Sequence, residues 1–102
     1  MKKIVAITAC PTGIAHTYMA AEMLESTAKK LNVLIKVETH GAIGVENQLQ
    51  DTDIEQADAV IIASDISIDE SRFKGMPIYK TTTAKAIHEP KTVILETLKK
   101  DD

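Results

Sequence analysis

Residues 3–9 contain the apolar run Ile4-Val5-Ala6-Ile7 and stop at Cys10-Pro11-Thr12-Gly13, a cluster of turn formers. That pattern predicts a strand running into a loop. From His16 the period changes. Ala20, Met23, Leu24, Thr27, Ala28 and Leu31 recur at helical spacing, with Glu22, Glu25, Ser26 and Lys29 on the other face. Glu25 and Lys29 form a favourable i,i+4 pair, Asn32 ends the helix, and Met19 and Met23 read most simply as core filling. Residues 33–38 alternate in part and predict a second strand near a sheet edge, and residues 40–44 form a loop. Asp51 or Thr52 caps a short helix through Ala57, with Asp53 and Glu55 near its positive end. Residues 59–63 are apolar on both faces, as a central parallel strand must be when helices cover both sides. Residues 65–75 are polar and loop-like, with one helical turn over 69–73. A short fourth strand at 76–79 is assigned to an edge by Pro77, which lacks a ladder donor. Segments 81–88 and 92–100 are helical, and Pro90 breaks or kinks the path between them.

Strands alternating with helices imply an α/β fold, a three-layer sandwich whose four-stranded, mostly parallel sheet is covered on both faces. Ligands in such sheets bind beyond the carboxyl ends of the strands. The loop from Cys10 to His16 lies at one such end, which makes it a candidate phosphate-binding loop after the first strand. With no repeat, low-complexity stretch or linker, the 102 residues fit one domain spanning 1–102. Residues 99–102 are expected to fray.

Composition narrows the function classes. Twelve basic against fifteen acidic side chains give a formal charge of -3, and Tyr18, Phe73 and Tyr79 are the three aromatics. Both features disfavour a nucleic-acid binder. The longest apolar run, 59–63, falls far short of the roughly 20 residues that cross a bilayer. Lys2 and Lys3 precede an apolar stretch too short for a signal-peptide core, so a reducing cytoplasm is the expected compartment. Cys10 is the sole cysteine, which excludes a disulfide within the chain.

The segment from Cys10 to Thr17 leaves a predicted strand and opens a predicted helix, so its backbone amides can converge with the helix dipole behind them. A helix N-terminus is a ready anion site, and the same field favours a thiolate, lowering cysteine pKa values to roughly 3.5–7.5 from about 8.5. One geometry therefore activates a sulfur nucleophile and cradles a phosphoryl group. In that reading Gly13 permits backbone conformations closed to other residues and Pro11 stiffens the turn. Thr12 and Thr17 offer hydroxyls, Thr17 being the better placed to donate to the sulfur, and His16 either donates to the phosphoryl group or caps the helix. Ile14 and Ala15, apolar in a loop that partners must reach, are candidate docking contacts. A simpler reading stands beside this one: a lone cysteine at the end of a buried strand also serves as a small core residue, and any strand-to-helix connection needs turn formers.

The spacing resembles the phosphate-binding loop of low-molecular-weight tyrosine phosphatases, with His16 in the arginine position. Losing the bidentate guanidinium weakens stabilisation of the charged transition state, which argues for a carrier over a hydrolase. A redox or thiol-sensing module would ordinarily keep a second, resolving cysteine. More specifically, residues 9–22, ACPTGIAHTYMAAE, together with Lys36-Val37-Glu38-Thr39-His40-Gly41, Gly44, Glu46-Asn47-Gln48-Leu49 and Arg72-Phe73, resemble the IIB domains of the fructose family of the bacterial sugar phosphotransferase system. The resemblance covers essentially the whole chain, departing at His40, where the family commonly has glutamine. It implies a cytoplasmic phosphoryl carrier, peripheral to the membrane. Its cysteine, matching Cys10, takes phosphoryl from a phosphohistidine on a IIA protein and delivers it to a sugar held in the IIC permease, with no metal or cofactor required.

Overall fold

The computed structural model describes residues 1–12 and 14–101. Among them the chain forms β1 (Lys3–Ala9), α1 (Ala15–Lys30), β2 (Leu34–Gly41), β3 (Gly44–Glu46), α2 (Asp51–Gln56), β4 (Ala59–Ser64), a single 3-10 turn (Ser71–Phe73), β5 (Ile78–Thr81), α3 (Thr83–His88) and α4 (Pro90–Asp101). None of the described helices is long and apolar enough to cross a membrane.

The sheet order is β3-β2-β1-β4-β5. β1, β2, β4 and β5 run parallel, and β3 returns antiparallel along the end of β2, pairing Thr39 with Glu46 and His40 with Val45. The sheet therefore has five strands where the pattern predicts four. Residues 44–46 are all exposed, so no apolar alternation announces them. They form a strand because a two-residue turn reverses the chain onto β2, with Gly44 at φ +117° taking a conformation costly for any other residue.

β1 is central, flanked by β2 and β4, and its residues from Ile4 to Ala9 are buried. On one face Ile4, Ala6, Val37, Ile61 and Ala63 pack with Ala20, Ala21, Leu24 and Ala28 of α1 and with residues of α3 and α4. On the other, Val5, Ile7, Val60 and Ile62 pack with Leu49 and Phe73 and with Ile54 of α2. Both apolar faces of β4 are thus covered, which is why its sequence shows no alternation.

Boundaries shift for local reasons. β5 begins at Ile78, after the predicted 76, because Met76 donates its amide to the Phe73 carbonyl in a turn and Pro77, with no amide hydrogen, contributes only its carbonyl, which accepts from the Val60 amide. Thr82 caps α3 by accepting from the Lys85 amide at 3.1 Å. Pro90 does separate two helices, yet it is itself the first residue of α4, where its fixed φ suits a helix start. The assignment of Met19 and Met23 to the core is overturned: they are 47% and 37% exposed. The buried stripe of α1 runs through Thr17, Ala20, Ala21, Leu24 and Ala28, and the two methionines lie beside it.

Candidate functional site

Register fixes the location. Ala9 stands level with His40 of β2 and Ser64 of β4, so the residue after it, Cys10, leaves the sheet at the shared carboxyl end of three parallel strands. The Ala9 carbonyl accepts the Asp65 amide at 3.1 Å. Asp65 is fixed in turn, because its carboxylate accepts both the amide and the hydroxyl of Thr83 at the start of α3.

Alternation along β1 sends the Cys10 side chain to the α1 face, where it is 4% exposed. There the Thr17 hydroxyl donates to Sγ at 3.1 Å, and the Thr12 hydroxyl lies 3.4 Å from the same sulfur. Thr17 is buried and Thr12 exposed. α1 enters through Ile14 at φ -120°, ψ -101°, with no side-chain cap there and no acidic residue in its first turn. Its first amides are therefore left to other acceptors, and nothing acidic offsets its positive end. Burial raises a thiol pKa, whereas a donated hydroxyl and a helix N-terminus lower it.

The structure brings Cys10, Thr12 and Thr17 together as the spacing predicts. Pro11, Ile14, Ala15 and His16 are exposed around them, Ile14 at 59%. Ala15, read as loop, is the first residue of α1. Gly13 lies outside the described residues. Among the described residues, no group of three or more His, Cys, Asp and Glu side chains is arranged to hold a metal ion. A groove of about 600 Å³ lined by Met1, Glu22, Lys29, Leu34 and Ile35 involves none of these loop residues.

A second polar cluster was not legible as such in the sequence. Glu38 of β2, 1% exposed, accepts two bonds from the Arg72 guanidinium at 3.0 and 2.8 Å, one from the Leu49 amide at 2.9 Å, and lies 2.6 Å from His40 Nε2. Burial by itself pushes this carboxyl up, but the donors from Arg72, His40 and Leu49 together outweigh it and bring the pKa down to about 2. Arg72 is held above its ordinary value, chiefly by the same bonds to Glu38. The signal available was the placement of Glu38 in a strand and of Arg72 beside Phe73, but an ion pair 34 residues apart needs the fold to be seen.

Comparison with known proteins settles the family. The one described as phosphotransferase system, lactose/cellobiose specific IIB subunit, matches residues 5–96. This chain belongs to the IIB family of the phosphotransferase system. Its relatives place it with the fructose type. A fructose-specific EIIB'BC component of Vibrio cholerae is 58% identical over 82 residues, covering 80% of this chain and 14% of the relative. A fructose-like EIIB component 2 of Escherichia coli is 52% identical over 88 residues, covering 85% of this chain and 83% of the relative. A crystallised domain of a fructose-specific IIABC component from Borrelia burgdorferi superposes with a TM-score of 0.93 at 50% identity, covering 96% of this chain and 94% of that one. This IIB chain spans about one-seventh of the length of the Vibrio relative.

Proposed function

We propose that this IIB chain carries phosphoryl on Cys10, receiving it from a phosphohistidine of a IIA partner and passing it to a sugar bound in a membrane-embedded IIC permease, at the cytoplasmic face of the membrane. The observation that carries the reading is the Thr17 hydroxyl donating at 3.1 Å to a sulfur at the carboxyl end of the central strand, beside the unopposed positive end of a 16-residue helix. Family membership supports the phosphotransferase role.

In the first step the Cys10 thiolate attacks phosphorus in line. The S–P bond forms as the N–P bond breaks, and the imidazole leaves with the electron pair, taking a proton from solvent or its own protein. In the second, a sugar hydroxyl attacks phosphorus, the S–P bond breaks, and the thiolate departs. The hydroxyl proton goes to a base of the permease or to solvent. Thr17 stabilises the thiolate in both steps, and Thr12 is a second, more exposed donor. The loop from Pro11 to Thr17 supplies the cradle for the phosphoryl oxygens, Pro11 by its conformation alone because it has no amide hydrogen. Ile14 and Ala15 provide docking contacts. Burial of Cys10 favours a donor that docks over water that merely diffuses in.

Incubation with a phosphorylated IIA protein tests the reading. The IIB chain is expected to acquire one labelled phosphoryl group and keep it until IIC and sugar are added. Steady release of inorganic phosphate without sugar would point to a hydrolase, and no labelling would overturn the proposal.

A further inference from the structure

Thr8 is a polar residue in the apolar interior of the central strand, fully buried between Ile7 and Ala9. Packing alone does not call for it, since valine has the same shape and a buried hydroxyl is costly unless it is bonded. Its hydroxyl donates to the Thr17 carbonyl oxygen at 2.9 Å. Thr17 thereby accepts from the strand through its main chain and donates to the Cys10 sulfur through its side chain. The strand residue that makes this tie is two positions before Cys10. No side chain caps the helix at Ile14, so the bond from Thr8 is a direct polar tie between β1 and the first turn of α1.

We infer that Thr8 is a positioning residue of the carrier site, locking the first turn of α1 to β1 so that the Thr17 hydroxyl stays aimed at the Cys10 sulfur. The inference rests on Cys10 being the phosphoryl acceptor, because the aim matters when the sulfur is charged, as nucleophile in the first transfer and as leaving group in the second. A hydroxyl that turns away from the sulfur, so that the bond is strongly bent, gives up much of a charge-assisted hydrogen bond, while the helix itself stays folded.

The test measures the rate of Cys10 alkylation by a small reagent against pH, alongside phosphoryl transfer from a phosphorylated IIA protein. Thr17→Val is expected to raise the alkylation midpoint by about one pH unit, and Thr8→Val by about half a unit to one unit. The double variant should match Thr17→Val alone, because Thr8 acts only through Thr17. Thr8→Ser, which keeps the hydroxyl, should restore the wild-type midpoint. Should Thr8→Val fail to fold, Thr8→Ser against Thr8→Ala carries the comparison: both lose the methyl group, and only the alanine variant should shift. An unmoved midpoint in folded Thr8→Val or Thr8→Ala, or additive shifts in the double variant, would overturn the inference. If the wild-type chain accepts no phosphoryl, the carrier reading fails, while the midpoints still decide whether Thr8 aims Thr17.

Discussion

Two polar clusters lie near the carboxyl ends of the strands on opposite faces of the sheet, and they are built to opposite ends. Around Glu38 the carboxylate is surrounded by donors from Arg72, His40 and Leu49. That arrangement stabilises one charge state and leaves little for a ligand to gain. Around Cys10 two hydroxyls approach a sulfur at the mouth of a helix that lacks a side-chain cap. The first cluster ties β2, the segment leading to α2 and the 3-10 turn together. The second sets a sulfur beside a helix start with no acidic residue in its first turn. A saturated charge holds the scaffold, and the sulfur beside a helix start is where chemistry can occur.

The largest effect expected from breaking this contrast is on stability. Arg72→Ala strands the buried carboxylate of Glu38 with only His40 and Leu49 as donors, and should cost about 3 kcal/mol in denaturant unfolding while leaving the alkylation midpoint of Cys10 in place. A comparable loss of reactivity at Cys10 would mean that the two clusters are not separate in function.

The pH dependence follows from the same residue. Because the folded pKa of Glu38, about 2, lies below its ordinary 4.5, its contribution to stability is fully present above pH 4.5 and is lost as pH falls toward 2. It amounts to about 3 kcal/mol. Unfolding measured between pH 6 and 2 should show this slope, and Glu38→Gln should flatten it.

Smaller effects belong to the exposed side of the carrier site. Ile14→Asp should lower the affinity for the phosphorylated IIA donor roughly fivefold or more, the usual cost of an apolar anchor, with alkylation by a small reagent unchanged. Chemical-shift mapping with the donor should centre on residues 10–17. His16→Ala is expected to slow transfer by only a few-fold, consistent with one donated hydrogen bond and no obligatory proton transfer. Complete inactivity of the folded variant would give His16 a larger role.

The contrast also explains what the sequence could show. Cys10, Thr12 and Thr17 are close in the chain, so the strand-to-helix transition at 9–15 sufficed to predict that their side chains meet. The central position of β4 was legible from an apolar run on both faces, and the edge position of β5 from Pro77. β3 was missed because its exposed residues carry no period, and its existence depends on the turn before Gly44 and on the β2 edge. Glu38 looked like an ordinary strand residue because its partners come from residues 40, 49 and 72, which only the fold assembles. The two methionines of α1 show the limit of periodicity in a wide stripe: Met23 neighbours Leu24 in sequence but stands about 100° away around the helix, toward solvent.

The central claim is that phosphoryl rests on the Cys10 sulfur, and peptide mapping of the chain after reaction with a labelled, phosphorylated IIA protein tests it most directly. The account predicts one label on the peptide containing Cys10, absent from a folded Cys10→Ser variant and returned to IIA or passed on to sugar when IIC is supplied. Label on His16, His40 or His88 of the wild-type chain, or undiminished labelling of Cys10→Ser, would contradict it.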